Sequence, residues 1–287
     1  MASPRSGVAP QSNLYKMAAK KILFVSQEIA PYLPANEISS FGKALPQSLQ
    51  GKRFEVRTFM PKFGNVNERR NQLHEVIRLS GLNIEINDND HPLILKVASM
   101  QPVRIQVYFI DNDDYFIKED SDIDAFGSNR ADNDERALYF ARGTMETVRK
   151  LKWDPEIIQC SGWMTALTPL YMRALYTPDN DAAPKPKIVY CIEPSNPGMA
   201  PIDTEIVRKL IEDGLPHELV EKYSADSMDV NTLHRIAIDN ADAVVFLTPE
   251  PDQELLEYIS QKGIPVLSKQ DIDEKGVAQF PDFYESI

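Results

Sequence analysis

Lys20-Lys-Ile-Leu-Phe-Val-Ser-Gln-Glu-Ile-Ala-Pro-Tyr-Leu-Pro34 decides the fold class. Ile22 to Val25 form a short, uninterrupted apolar run after two lysines, the pattern of a strand buried on both faces in a parallel sheet. Pro31 and Pro34 then impose extended or turn geometry on the chain that leaves it. From Ile38 to Leu49 the apolar spacing (Ile38, Phe41, Leu45, Leu49) is helical, although Pro46 argues against an unbroken helix. In an open α/β sheet, ligands bind beyond the carboxyl ends of the strands, so this first loop is expected to carry the function.

The same alternation continues downstream. Strands are predicted at 54–60, 103–110, 157–160, 187–192 and 243–247. Short β-type runs at 74–82, 83–86 and 92–97 include a hairpin with a longer loop at Asn87-Asp-Asn-Asp90. Helices are predicted at 134–151, 165–176, 202–213, 217–223, 230–240 and 252–262, with Asp132 or Asn133 as N-cap of the first of these. Residues 111–132 read as an acidic loop with a partial turn, and 178–186 as a linker. Strands alternating with helices imply βαβ units and a mainly parallel sheet. The chain therefore reads as α/β, a single Rossmann-like lobe over residues 19–265. Residues 1–18, small, polar and proline-containing, read as a disordered leader or cloning remnant, with Met17 as a native start. Residues 266–287 read as a loosely attached acidic tail.

Composition narrows the function. The chain has 287 residues and a formal net charge of −12, from 43 acidic and 31 basic residues. That balance opposes nucleic-acid binding, which needs clustered Lys and Arg. No apolar run is long enough to span a membrane. Cys160 and Cys191 each adjoin an apolar run and read as buried thiols in a reducing cytoplasm. The four histidines, His74, His91, His217 and His234, lack metal-ligand spacing, so no metal is expected. No Gly-rich phosphate loop, Cys-x-x-Cys or Gly-x-Ser-x-Gly occurs, and no cofactor is expected.

Taken together, these segments resemble the amino-terminal half of bacterial glycogen synthases and plant starch synthases. Lys21-Ile-Leu-Phe-Val-Ser-Gln-Glu-Ile-Ala-Pro31 is similar to that family's opening strand and its Ser-x-Glu-x-x-Pro. Val107-Tyr-Phe-Ile-Asp-Asn-Asp-Asp-Tyr-Phe116 resembles its Asp-Asn…Tyr-Phe strand end, and Asp132-Asn-Asp-Glu-Arg136 its Asp-Asn-x-x-Arg helix start. Pro155-Glu-Ile-Ile-Gln-Cys-Ser-Gly-Trp-Met-Thr-Ala-Leu167 resembles Asp-x-Ile-His-x-His-Asp-Trp-x-Thr-Ala-Leu. Ile238-Asp-Asn-Ala-Asp-Ala-Val-Val-Phe-Leu-Thr-Pro249 resembles the strand that closes this half. The likeness runs in order over roughly residues 21–260. It implies one half of a GT-B glycosyltransferase, an enzyme of two facing Rossmann-like domains that transfers glucose from ADP-glucose to an α-1,4-glucan.

Three departures qualify that implication. Where the family has Lys-Thr-Gly-Gly-Leu near the sugar-nucleotide phosphates, this chain has Pro34-Ala-Asn-Glu-Ile38, with no cation and no glycine. Gly42-Lys43 lies about two helical turns on and is a weak replacement. The family's His-Asp-Trp is Ser161-Gly162-Trp163, its earlier histidine is Gln159, and a strand end of His-Asn becomes Ile192-Glu193-Pro194. Serine lacks an imidazole's acid–base range. The 40 residues after Leu247 are expected to be too few for a second nucleotide-binding domain.

The expectation is a protein of glucan metabolism, not catalytic alone, that engages an α-glucan or maltooligosaccharide. The same protein would alternatively assist a full-length synthase, and two further readings stand beside it: a transferase whose nucleotide lobe comes from another chain, and a structural or regulatory homo-oligomer that has lost carbohydrate binding. The candidate substrate-binding residues are Glu28, Asp111, Asn112, Tyr115, Asp132, Asn133 and Trp163. Each has a structural alternative. Glu28 would cap a turn, Asp132, Asn133 and Arg136 would cap a helix, and Trp163 would anchor a helix start. Tyr115 and Phe116 would lie in a solvated loop.

Overall fold

The computed structural model describes residues 19–51, 53–180, 183–194 and 196–287, and the expected leader, residues 1–18, lies outside them. Among the described residues ten strands form the sheet: β1 (Lys20–Ser26), β2 (Phe54–Pro61), β3 (His74–Glu75), β4 (Leu82–Ile86), β5 (Asn89–Met100), β6 (Ile105–Asp111), β7 (Ile157–Ser161), β8 (Lys187–Ile192), β9 (Ala243–Phe246) and β10 (Val266–Leu267). Their order is β10-β9-β8-β7-β1-β2-β6-β5-β3, with β4 paired to β5. The run from β10 to β6 is parallel, and β5, β3 and β4 add antiparallel pairs.

β1 lies between β2 and β7, with Val25 opposite Phe59 on one side and Cys160 on the other. Ile22, Leu23 and Val25 are fully buried and Phe24 is 2% exposed, as the apolar run requires. The strand order reverses between β1 and β7, the position where a doubly wound sheet opens a crevice at its carboxyl ends. Alternation sorts the neighbouring strand's side chains. The Phe109 ring meets Tyr32 edge-on at 4.9 Å, while Ile110 lies against Gly143 on a helix.

The helices, in chain order, are α1 (Glu37–Leu49), α2 (Glu68–Asn71), α3 (Asp113–Phe116), α4 (Asn133–Leu151), α5 (Thr168–Ala174), α6 (Ile206–Glu212), α7 (His217–Val220), α8 (Val230–Asp239), α9 (Gln253–Lys262), α10 (Lys269–Lys275) and α11 (Phe280–Ser286). α1 opens with a capping box: Asn36 Oδ1 accepts from the Ser39 amide at 2.7 Å, and Ser39 Oγ accepts from the Asn36 amide at 2.9 Å. The expected break at Pro46 does not occur, and the helix runs through it to Leu49. Burial on both sides holds it, with Leu45, Pro46 and Leu49 in the core. A Cβ at Gly42 would stand 2.7 Å from the Glu28 carbonyl oxygen, so the helix approaches the end of β1 as closely as only glycine permits.

Several boundaries differ from the sequence reading. The β-type run at 74–82 contracts to His74–Glu75, and the remainder is turn and irregular backbone. The β4–β5 hairpin turns on Asn87 and Asp88, both left-handed at φ 52° and 60°, which suits a tight two-residue turn. The segment after Leu267 is not loosely attached. Ser268 and Asp271 form a capping box for α10, Phe280 is fully buried with its ring centroid 5.6 Å from that of Phe41, and the Tyr284 hydroxyl donates to Gln159 Oε1 on β7. Its acidic composition concealed an apolar face formed by Phe280, Phe283 and Tyr284. Cys160 and Cys191 are buried free thiols. Among the described residues no helix is long and apolar enough to cross a membrane.

Phe280→Ala should therefore lower the stability of the whole domain by about 3–5 kcal/mol, the range for deleting a buried phenyl ring. A single cooperative urea transition moved to lower denaturant would show this. A transition unchanged from wild type would show that the segment contributes nothing to the core.

Candidate functional site

Three strands end together where the sheet order reverses, and their ends build the candidate site. After β1 come Gln27 and Glu28, after β7 come Gly162 and Trp163, and after β8 comes Glu193. The Gln27 amide donates to the Ser161 carbonyl at 3.0 Å, and Gln27 Oε1 accepts from the Met164 amide at 3.1 Å, which ties the first two ends together. Gly162 is left-handed at φ 93° and donates its N–H to the Cys191 carbonyl at 3.2 Å. A methyl at Gly162 would overlap Glu193 Oε1 and stand 2.8 Å from Gln27 Cβ. Here glycine serves both the backbone angle and the close approach of a carboxylate.

Glu193 Oε1 is buried and has no hydrogen-bond partner among the described residues. Burial, and then the negative charge of Glu28, push the Glu193 carboxyl up to about 8. Glu28 is 5% exposed, and burial raises its carboxyl too. Asn36 Nδ2 opposes that rise by donating to Glu28 Oε2 at 2.6 Å, while the Asp124 charge adds to it. Both carboxyls are thus held above the usual carboxylate range, and Glu193 is the one on which a proton is kept more readily. A protonated carboxyl donates a hydrogen bond as well as accepting one, so the corner suits hydroxyl groups. A pyrophosphate would meet negative charge there without a cation or a glycine amide to offset it.

The acidic loop before α4 bears on this corner through the Asp124 charge and is ordered by its own carboxylates. Asp124 Oδ1 accepts from the Phe126 and Ser128 amides at 2.9 and 3.1 Å, and its Oδ2 accepts from Asn196 Nδ2 at 2.8 Å and from the Ser128 hydroxyl. Arg136, nearly fully buried on α4, donates to the carbonyls of Tyr115 at 2.8 Å, Gly127 at 3.0 Å and Phe126. Burial lowers its guanidinium to about 10.

The seven sequence candidates are not brought to one surface. Glu28 lies in the corner just described. Asp111 forms an ion pair with Lys96 at 2.8 Å, and Asn112 caps α3 by accepting from the Asp114 and Tyr115 amides. Tyr115 is 3% exposed, and its hydroxyl lies 3.1 Å from both Glu135 Oε2 and His91 Nε2. Asp132 stands at the N-cap position of α4 without a side-chain capping bond and pairs instead with Arg130 at 2.9 Å. Asn133 donates to the Ser128 carbonyl at 2.7 Å and accepts from Arg136 at 2.8 Å. Trp163 is 6% exposed, within a 3₁₀ turn that starts the helical segment after β7. Sequence reasoning flagged Glu193 as a departure without seeing it as a partner of Glu28, and it passed over Asp124 and Asn196. The substitution at Ile192-Glu193-Pro194 was the available signal, whereas the contact through Asp124 is a matter of loop geometry.

Residues 21–267 match the model of the starch synthase catalytic domain. The chain belongs to this family. It is 31% identical over 238 residues to the glycogen synthase of Chlorobium luteolum, a match covering 82% of this chain and 47% of that one. The glycogen synthase of Chlorobaculum tepidum is similar at 31% over 240 residues, covering 83% and 47%. The chain thus spans about half the length of the curated relatives it matches. Among solved structures, the catalytic domain of starch synthase IV from Arabidopsis thaliana, bound to ADP and acarbose, superposes with a TM-score of 0.67 at 19% identity. That likeness covers 89% of this chain and 53% of that one and shows the shared α/β fold.

The raised Glu193 carboxyl gives a stability prediction. Between the ordinary carboxyl value of 4.5 and about 8, the folded protein holds a proton that the unfolded chain releases. Its contribution to stability is therefore full at low pH and declines as pH rises through that window. Glu193→Gln should gain stability relative to wild type as pH rises towards 8, read from urea midpoints at several pH values. Parallel curves for the two proteins would contradict the assignment.

Proposed function

We propose that this domain works in glucan metabolism as a glucan-engaging lobe that does not itself transfer glucose. The observation that carries the reading is the buried, unpaired Glu193 oxygen beside Glu28, where three strands of a starch-synthase fold end together. A sugar nucleotide needs cations or backbone N–H groups aimed at its phosphates. The loop beside this corner offers Pro34, Ala35, Asn36 and Glu37 instead, and Asn36 Nδ2 is already committed to Glu28. A neutral maltooligosaccharide presents only hydroxyls and apolar C–H faces, which a proton-bearing carboxyl and the neighbouring amides accommodate. The two buried free thiols fit a reducing cytoplasm.

The burial of Trp163 and Tyr115 favours a second reading, because it removes two aromatic faces on which a sugar would stack. On that reading the domain is a non-catalytic partner of a full-length synthase or of a second copy of itself.

Calorimetry of the chain against a maltooligosaccharide and against ADP-glucose, in parallel, decides between them. Saturable maltooligosaccharide binding that weakens in Glu193→Ala is the expected result. Absence of binding to either ligand transfers support to the partner role, and glucose incorporation from ADP-glucose into maltooligosaccharide by this chain overturns both readings.

A further inference from the structure

Away from the Glu28–Glu193 corner, two adjoining cavities of about 540 and 500 Å³ form a continuous groove between α1, α2 and the β5–β6 end of the sheet. They share Pro31, Tyr32, Lys43, Arg70 and Asn71. Neither Glu28, Gly162 nor Glu193 lines them, although Pro34 and Ala35, from the loop beside that corner, line the second cavity.

The charge of this groove opposes that of the whole chain. The protein carries 43 acidic residues against 31 basic ones, yet among the described residues lining the two cavities none is Asp or Glu. Lys43 and Arg70 have side chains without an ion pair or hydrogen bond among the described residues. The surrounding lysines are paired: Lys62 and Lys96 with Glu68 at 2.8 and 2.7 Å, and Lys269 with Glu37 and Asp273. Around the two unneutralised cations stand neutral side-chain amides, among them Asn65, Asn67, Asn71 and Gln72, with Tyr32 and Val97 as apolar wall.

From this arrangement we infer that the groove is a binding site for a phosphate monoester of a small sugar, a hexose phosphate. The two cations face the phosphate, Arg70 offering a planar fork and Lys43 a point charge. The amides supply donors and acceptors for hydroxyls. The volume exceeds what a bare anion needs, and the lack of carboxylates distinguishes the site from a cation-binding groove. The site adjoins the loop beside the proposed glucan-engaging corner but includes none of Glu28, Gly162 and Glu193, and does not depend on them.

The test is calorimetric titration of the full chain with glucose 6-phosphate, glucose 1-phosphate, inorganic phosphate and glucose at low salt. At least one hexose phosphate should bind with one site per chain, more tightly than inorganic phosphate and much more tightly than glucose. Its affinity should fall as salt is raised. In Lys43→Ala/Arg70→Ala, affinity should drop by roughly tenfold or more, the weight of charge-assisted contacts to phosphate, with the thermal transition unchanged because both side chains reach solvent. Lys43→Arg, which keeps a cation, should retain most of the binding, whereas Arg70→Lys, which loses the planar fork, should retain only part of it. The proposal is overturned if neither hexose phosphate binds, if inorganic phosphate binds as tightly as either ester, or if the double alanine variant binds as wild type does. Repeating the ADP-glucose titration with the double alanine variant separates any phosphate contact made in the groove from one made at the Glu28–Glu193 corner.

Discussion

A carboxylate left without a partner inside a protein raises the free energy of its charged form, and Glu193 is in that position at the end of β8. The surrounding structure fixes it there. Gly162 has no side chain and a left-handed backbone, which leaves room for Oε1; Gln27 bridges the ends of β1 and β7; and Glu28 supplies a second negative charge. The inexpensive response of such a pair is to keep a proton. The corner is then a neutral or singly charged hydrogen-bonding surface, whereas the family resemblance implies a phosphate cradle nearby. The α/β scaffold is that of the family, and on the proposed reading it is the chemistry at the strand ends that differs.

That scaffold was legible in the sequence because its signals are local. Ile22–Val25 and Ala243–Leu247 are apolar runs, and Ile157–Cys160 one broken only by Gln159; all are too short for helices, and each is an interior parallel strand. Asn87 and Asp88 announce their hairpin through their tolerance of positive φ. Pro46 misled because the rule against proline in helices weighs only local cost, whereas α1 is clamped between the sheet and α11.

The site was less legible, for a physical reason. Tyr284 reaches Gln159 across 125 residues, Asn196 reaches Asp124 across 72, and the Glu28 charge acts on Glu193 only because β8, β7 and β1 are neighbours in the sheet. No spacing in the chain encodes such meetings. Five of the seven candidates drawn from the sequence, Asp111, Asn112, Tyr115, Asp132 and Asn133, are engaged in caps, ion pairs or buried hydrogen bonds around the acidic loop and α4. These residues maintain the loop that borders the corner. Motif residues in a shared fold carry architecture as readily as contact with substrate. Lys43 and Arg70 show the converse, since neither belongs to a motif and their significance rests on the absence of carboxylates around them.

The character of this corner depends on the ionisation of one side chain, so the most direct measurement is a carboxyl-carbon NMR titration of Glu193 in the wild type and in Glu28→Gln. A wild-type midpoint near 8, a lower midpoint once the Glu28 charge is removed, and no displacement of the signal by ADP-glucose are expected. A midpoint in the ordinary carboxylate range, or one unmoved by Glu28→Gln, would contradict that expectation.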